Sequence, residues 1–510
     1  MVQSTSSFKI LSLFVLLTSL QSAPALALQL DWSGQYRTEV NWILNYAMGN
    51  TNDGGEALPD PARQYAGGYS VFPAGSKTAI MQPHFMRLKP RVVVNDNIYI
   101  KSEWWIGSPT TGVFGNGLPY SMDGRQFYST QSRGALITAQ RFWAEYLSDI
   151  GTVQVGRMPL NWGYGLYWSA GDGLWDRYES TGDSIRLVSK FGSFTVIPSY
   201  SRMSAGNALG GNCTIVGAGC IAGTGTGGVS DYALGLKYQN VDEDLEAGVQ
   251  FVKRLAGGAQ DPGGAMFGAE AGIPAGMNFN VWDIYGKKKI WKITFGGEAP
   301  ITSGEIGGMK YSTFALATEA KWDVLDSLDL KLKLGHAPGQ ASGTSNRFTA
   351  FYFNPNYRLG LIMFNYALRN FAGPNTLNNS TADPAIVRSP YDNPIVNSQY
   401  MNFAGSFRMG KWAFNSNWLF AKAVQHASAG QTFYNYWDHK TYTNGAGKDQ
   451  GTFLGWETDL GVTYKWDDAF LFGFDGGVFL PGSFYQFSNT PVDNKTSAVW
   501  TLGLKAGVSF

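Results

Sequence analysis

The sequence predicts an all-β fold, a single transmembrane antiparallel β-barrel of about eighteen strands, with sixteen or twenty as the other even counts. Three observations predict it. Segments of about ten residues alternate apolar and polar side chains again and again. Short polar turns and long Gly/Asn/Ser/Pro-rich stretches take turns between them. No apolar run approaches the ~18 residues that a spanning helix requires. Composition agrees: 64 Gly, 17 Trp, 26 Tyr and 32 Phe stand against only 15% charged residues, and no Pro/Ser linker divides the 510 residues. One large barrel accounts for the length without separate domains. The near-zero net charge and the lack of a Lys/Arg block argue against nucleic acid as a partner.

At the amino terminus, Lys9 precedes the apolar run from Ile10 to Leu20, and Ala25-Leu26-Ala27 supplies a small-x-small cleavage pattern. Residues 1–27 read as a secretory signal and 28–510 as the barrel, because about eleven apolar residues are too few to span a ~30 Å hydrocarbon core. The first strand places Leu30, Trp32, Gly34, Tyr36, Thr38, Val40 and Trp42 on one face, and Asp31, Ser33, Gln35, Arg37, Glu39 and Asn41 on the other. Comparable dyads run through Phe314 to Trp322, Leu328 to Leu334, Trp412 to Phe420 and Leu454 to Trp466. Short turns are expected at Asn95-Asp96-Asn97, Ser148-Asp149-Ile150-Gly151, Phe191-Gly192-Ser193, 240–244, Gly286-Lys287-Lys288, Leu325-Asp326-Ser327, Met409-Gly410 and Asp467-Asp468. Longer stretches lie at 47–80, 108–134, 158–182, 203–229, 256–276, 303–310, 338–398, 425–451 and 481–496. Eight turns with both termini on the same side give eighteen strands. The least regular stretch is 338–398, where Tyr357 to Phe364 reads as another strand or as part of a hairpin.

The last strand alternates Trp500, Leu502, Leu504, Ala506, Val508 and Phe510 against Thr501, Gly503, Lys505, Gly507 and Ser509. Its terminal Phe510 resembles the assembly signal of Gram-negative outer-membrane barrels. That resemblance implies export through the periplasm, the barrel-assembly machinery, and a surround of outer-membrane lipid and lipopolysaccharide.

The inward series carries both signs of charge, which calls for water or dense pairing. Arg87, Lys89 and Arg91 put three cations in a row on one wall, giving a weak expectation of anion preference, or of simple pairing with neighbouring carboxylates. The most distinctive internal segment is Gly156-Arg157-Met158-Pro159-Leu160-Asn161-Trp162-Gly163-Tyr164-Gly165, followed by Gly171-Asp172-Gly173. Glycines and Pro159 end a strand abruptly and allow a tight fold-back. Arg157, Trp162, Asp172, Asp176, Arg177, Asp183 and Arg186 are therefore candidates to line or narrow the pore, if this segment bends inward rather than outward. Cys213 and Cys220 are expected to form a disulfide in an exported chain. The four histidines form no ligand-spaced set with them, so neither a metal nor a cofactor is expected.

The Gly-Arg-Met-Pro-x-x-Trp-Gly-x-Gly segment, its Gly-Asp-Gly, and Phe353-Asn354-Pro355-Asn356-Tyr357-Arg358 resemble an uncharacterised outer-membrane family of delta-proteobacteria. More distantly they are similar to alginate-export-type barrels and related substrate-specific porins. The resemblance implies a porin-like channel for small polar or charged solutes, single or homo-oligomeric. The alternatives are a polysaccharide exporter, which needs a basic ladder along the lumen, and a plugged structural or adhesive barrel. An enzyme is not expected: His426, His439 and Asp438 lack a nucleophile signature such as Gly-x-Ser-x-Gly.

Overall fold

The computed structural model describes residues 29–46, 48–49, 78–110, 137–204, 212–216, 219–223, 229–256, 277–306, 309–341, 347–366, 368, 373–374, 391, 393–435 and 440–510. Residues 1–27 and the pair Asp438/His439 lie outside the described residues, and so do the side chains of Cys213 and Cys220. The two cysteines fall on a small hairpin, Asn212–Val216 with Gly219–Gly223, where Cys213 faces Ala222 and Cys220 faces Ile215.

Eighteen strands form one closed antiparallel barrel. The first, β1, runs as Gln29–Asp31 and Gly34–Leu44. The second, β2, runs as Thr78–Met81, His84–Leu88 and Arg91–Asn95, interrupted near Pro83 and Pro90, which cannot donate to the ladder. Next come β3 (Ile98–Gly107), β4 (Ile137–Ser148), β5 (Gly151–Pro159), β6 (Thr181–Phe191), β7 (Phe194–Ser204) and β8 (Val229–Asn240). They are followed by β9 (Leu245–Ala256), β10 (Met277–Ile290), β11 (Ile293–Ile306), β12 (Met309–Phe314 and Leu316–Leu325) and β13 (Leu328–Ala337). The wall ends with β14 (Ser398–Met409), β15 (Trp412–Lys422), β16 (Phe453–Lys465), β17 (Phe470–Pro481) and β18 (Val499–Ser509).

Closure joins β1 to β18 from Gln35 opposite Ser509 to Leu44 opposite Trp500. The terminal residue contributes: Gly34 N–H donates to the Phe510 carbonyl at 2.7 Å, and Phe510 N–H to the Gly34 carbonyl at 3.0 Å. The seam therefore ends on the residue that the alternation singled out. Side chains divide as expected. Trp500, Leu502 and Leu504 are exposed on the outer face of β18 while Thr501 and Val499 are buried. Exposed Ile185, Tyr232, Leu234, Trp282, Ile284, Phe403 and Phe474 continue the outer belt, and Arg37, Glu39, Glu103, Arg141, Asp231 and Glu457 are buried inside. An apolar exterior around a polar interior is the arrangement a barrel needs in hydrocarbon.

Two expected connections differ. The turn assigned to Gly286-Lys287-Lys288 lies later, where Ile290 pairs Ile293 and Trp291 takes φ +55. The lysine run that mimics a turn is an exposed strand end. The stretch 303–310 is no long loop, since β11 and β12 pair as far as Ile306 opposite Met309. Tyr357 to Phe364 forms no wall strand.

At the seam, a Cβ on Gly34 would fall 2.6 Å from the Phe510 ring and 2.7 Å from the Arg87 carbonyl. The ring can swing aside, but a carbonyl held in the β1–β2 ladder cannot. Gly34→Ala is expected to lower stability by about 1–3 kcal/mol, the usual range for overpacking, read as an earlier denaturant midpoint of the detergent-folded barrel.

Candidate functional site: a lumen crossed by two inserts

Among the described residues, two connections fold back into the barrel. The first, residues 160–180, leaves and returns at one point, where Leu160 N–H donates to the Ser180 carbonyl at 2.8 Å. One side of it docks on β8–β11. Trp162 is 1% exposed and lies where Gly235 and Gly248 carry no side chain, since a Cβ at Gly235 would fall 2.9 Å from its ring. Its indole N–H donates to the Asp283 carbonyl at 3.1 Å. The Glu298 carboxylate of β11 accepts the N–H groups of Tyr164 and, at 3.0 Å, Leu166. Burial takes water away from loop amides, and here a wall carboxylate replaces it for two of them.

The other side of this insert meets β1–β4. Arg141 pairs with Asp172 at 2.9 Å and Glu179 at 3.0 Å, and donates to the Ala170 carbonyl. Arg37 donates to the Leu174 carbonyl, and Arg177 pairs with Glu39 beneath the ring of Tyr391. Burial pushes the Glu179 carboxyl up to about 7 against the pull of Arg141. Burial also opposes ionisation of Asp172, but its bonds to Lys89 and Arg141 outweigh this and hold it below the usual carboxylate range.

The second insert, residues 347–366, packs on β14–β16. Glu457, fully buried, accepts the N–H groups of Ile362 at 2.7 Å and Met363 at 2.6 Å. Asp459 accepts that of Leu361 at 3.2 Å, and Asn417 donates to the Leu359 carbonyl at 2.9 Å. Each insert is thus gripped by an inward carboxylate that takes two consecutive or near-consecutive amides. The inserts also hold each other. Asn356 accepts from the N–H groups of Arg177 and Tyr178 at 3.2 and 3.1 Å, and Arg358 donates to the Trp175 carbonyl at 2.8 Å. A cavity of about 350 Å³ remains between them and the β12–β13 wall, where Glu319 and Lys333 stand.

No family model and no curated protein matches the chain. Among solved structures the barrel is similar to OccK9 (OpdG) of Pseudomonas aeruginosa, at 8% identity and TM-score 0.46, covering 94% of this chain and 99% of that one. It is similar to OccK2 (OpdF) of the same bacterium in complex with glucuronate, at 10% identity and TM-score 0.45, covering 94% and 98%. It also matches OmpT, an outer membrane protein of Vibrio cholerae, at 10% identity and TM-score 0.36, covering 95% and 98%. At these identities and scores, what those proteins bind is not carried to this chain.

The residues singled out from sequence fall into three groups. Asp172, Asp176 and Arg177 lie on the first insert, and Asp176 borders the cavity. Arg177 is buried under Tyr391, however, and Trp162 is sunk in the wall, so both fasten the insert rather than face open space. Arg157 and Asp183 are a correction. They stand on the outward series of β5 and β6, opposite outward Phe142 and beside exposed Val155 and Ile185, and pair with each other at 2.8 Å. The period of two fixes this: inward Gln154 and Met158 leave Arg157 on the outer face.

The third group lies on the inner wall, already paired. Arg87 meets Glu103 at 3.1 Å, Lys89 meets Asp172 at 2.8 Å, and Arg91 pairs with Asp31. Arg186 donates to Gln154 at 2.6 Å. The alternation marks Arg141 and Glu457 only as two of many inward charges, and it does not mark Glu298. Their signal was position: inward charges level with a glycine-rich connection long enough to reach them.

Proposed function

We propose that the barrel is a passive, porin-like channel for small polar solutes in the outer membrane of a Gram-negative bacterium, with its short turns at the periplasmic end. The observation that supports this reading best is the cavity of about 350 Å³ between the inserts and the wall, bordered by charged and hydroxyl groups. Such a lining favours water, and a hydrated gap beside a folded-in loop is a filter by width. No cofactor or energy source is required. Reconstitution into a planar bilayer is expected to give discrete conductance steps. A correctly folded barrel that gives none would be the plugged vessel instead, a reading favoured by the hydrogen bonds that tie one insert to the other.

The pairing of Arg87, Lys89 and Arg91 bears on ion preference. Each cation has a carboxylate within salt-bridge distance, so its field is largely cancelled nearby. The expected reversal potential in a salt gradient is close to zero, in place of an anion preference. The same mixed signs speak against export of an acidic polymer, which would need unpaired cations along its path.

A further inference from the structure

The gap between the inserts is bordered by one ion pair on the wall, an aspartate and an arginine on the inserts, and two phenol rings. On the wall, Lys333 Nζ lies 3.1 Å from the Glu319 carboxylate and 4.7 Å from the centre of the Tyr357 ring. On the inserts, Asp176 and Arg358 border the gap, with Asp176 accepting the Gly173 N–H at 2.8 Å and Arg358 giving one N–H to the Trp175 carbonyl. Tyr164 closes another side, its hydroxyl seated where Gly296 has no side chain. Tyr357 is fixed in turn by Tyr400, whose hydroxyl lies 3.3 Å away.

A charged solute entering this gap meets no net attraction, and binding it requires that a couple be pulled apart. A neutral polyhydroxylated solute needs no such separation. Its hydroxyls can donate to carboxylate lone pairs and accept from ammonium or guanidinium N–H groups that a single ion pair leaves unused. Its C–H face can lie on a phenol ring. The volume of about 350 Å³ is at the small end of ligand sites and suits a single sugar ring with some water.

We infer that the gap is a binding station for an uncharged sugar of monosaccharide size, held by the Lys333–Glu319 couple on the wall and by Asp176 and Arg358 on the inserts. This rests on the channel reading, as the solute would pause there in transit. The test uses the detergent-folded full-length barrel and saturation-transfer NMR, which reads weak binding whether or not the barrel conducts. D-glucose, D-glucuronate and D-glucosamine share a ring and differ in charge. The expected result is saturable transfer to D-glucose, with weaker transfer to the two charged sugars. Glu319→Gln combined with Lys333→Met keeps the net charge and is expected to weaken D-glucose binding by roughly tenfold, as loss of charge-assisted hydrogen bonds does. Asp176→Asn, on the insert rather than the wall, should weaken it in the same direction if the wall variant fails to fold. Absence of saturable transfer, tighter binding of either charged sugar, or D-glucose binding by both variants undiminished from wild type would overturn the station. Bilayer conductance without glucose binding would leave the channel standing, and glucose binding without conductance would remove the channel alone.

Discussion

Replacing residues 162–178 by Asn-Gly is expected to raise single-channel conductance severalfold. Leu160 and Ser180 already pair at 2.8 Å, so β5 and β6 can be joined by a two-residue turn of the kind that suits strand twist. The excision takes away everything that bridges Glu298 on one wall to Arg141 on the other. It also removes the Tyr178 and Arg177 amides on which Asn356 rests, and so loosens the second insert. The barrel should survive, because its ladder runs from wall strand to wall strand and closes at β1–β18 without the insert. Glu298 and Arg141 would lose partners, but they would lose them to water, where a solvated ion is cheap. Planar-bilayer recordings, with heat-modifiable migration to establish folding, make the measurement. Unchanged conductance would mean that the insert does not narrow the conducting path.

The barrel was legible because a wall strand is a local pattern. Alternation, short turns and a terminal aromatic each sit within about ten residues, and β1 and β18 run as their dyads predict, as does β16 from Trp456 onward, while Leu454 is turned inward before the irregularity at Gly455. Errors arose where the local pattern was ambiguous. Gly286-Lys287-Lys288 looks like a turn but continues β10, which runs to Ile290, because the part of a strand beyond the apolar belt can be polar. Arg157 and Asp183 look like pore charges by sign and motif, yet parity puts them outside, where they satisfy each other. The inserts were harder still. Whether 160–180 and 347–366 bend inward depends on contacts between residues far apart in the chain, such as Tyr164 with Glu298 for the first and Leu361 with Asp459 for the second. No periodicity records such pairs. What the sequence did hold was the material for docking. Inward glycines at 235, 248 and 296 leave space for Trp162 and Tyr164, and inward carboxylates await amides.

Glu457→Ala is expected to undock the second insert, with Glu457→Gln intermediate. The carboxylate lies fully buried and each of its oxygens takes one amide, Ile362 on Oε1 and Met363 on Oε2. Alanine orphans both N–H groups. An unmet buried donor costs about 1–3 kcal/mol, so the pair weakens docking by about 2–6 kcal/mol. Glutamine keeps one acceptor oxygen and turns an NH₂ toward the other amide, which replaces one hydrogen bond with a donor facing a donor. Neighbouring contacts limit the fall, since Asp459 still holds Leu361 and Asn417 still holds Leu359. The wall should be indifferent, because Glu457 pairs through its backbone with Leu419 and Phe479 whatever side chain it carries. Hydrogen exchange separates the two levels. The amides of Ile362 and Met363 should lose protection in the order wild type, Gln, Ala, while those of β16 keep theirs. Loss of protection in β16 as well would mean that this carboxylate supports the barrel itself, and equal protection in all three would mean that the insert is held by its apolar contacts alone.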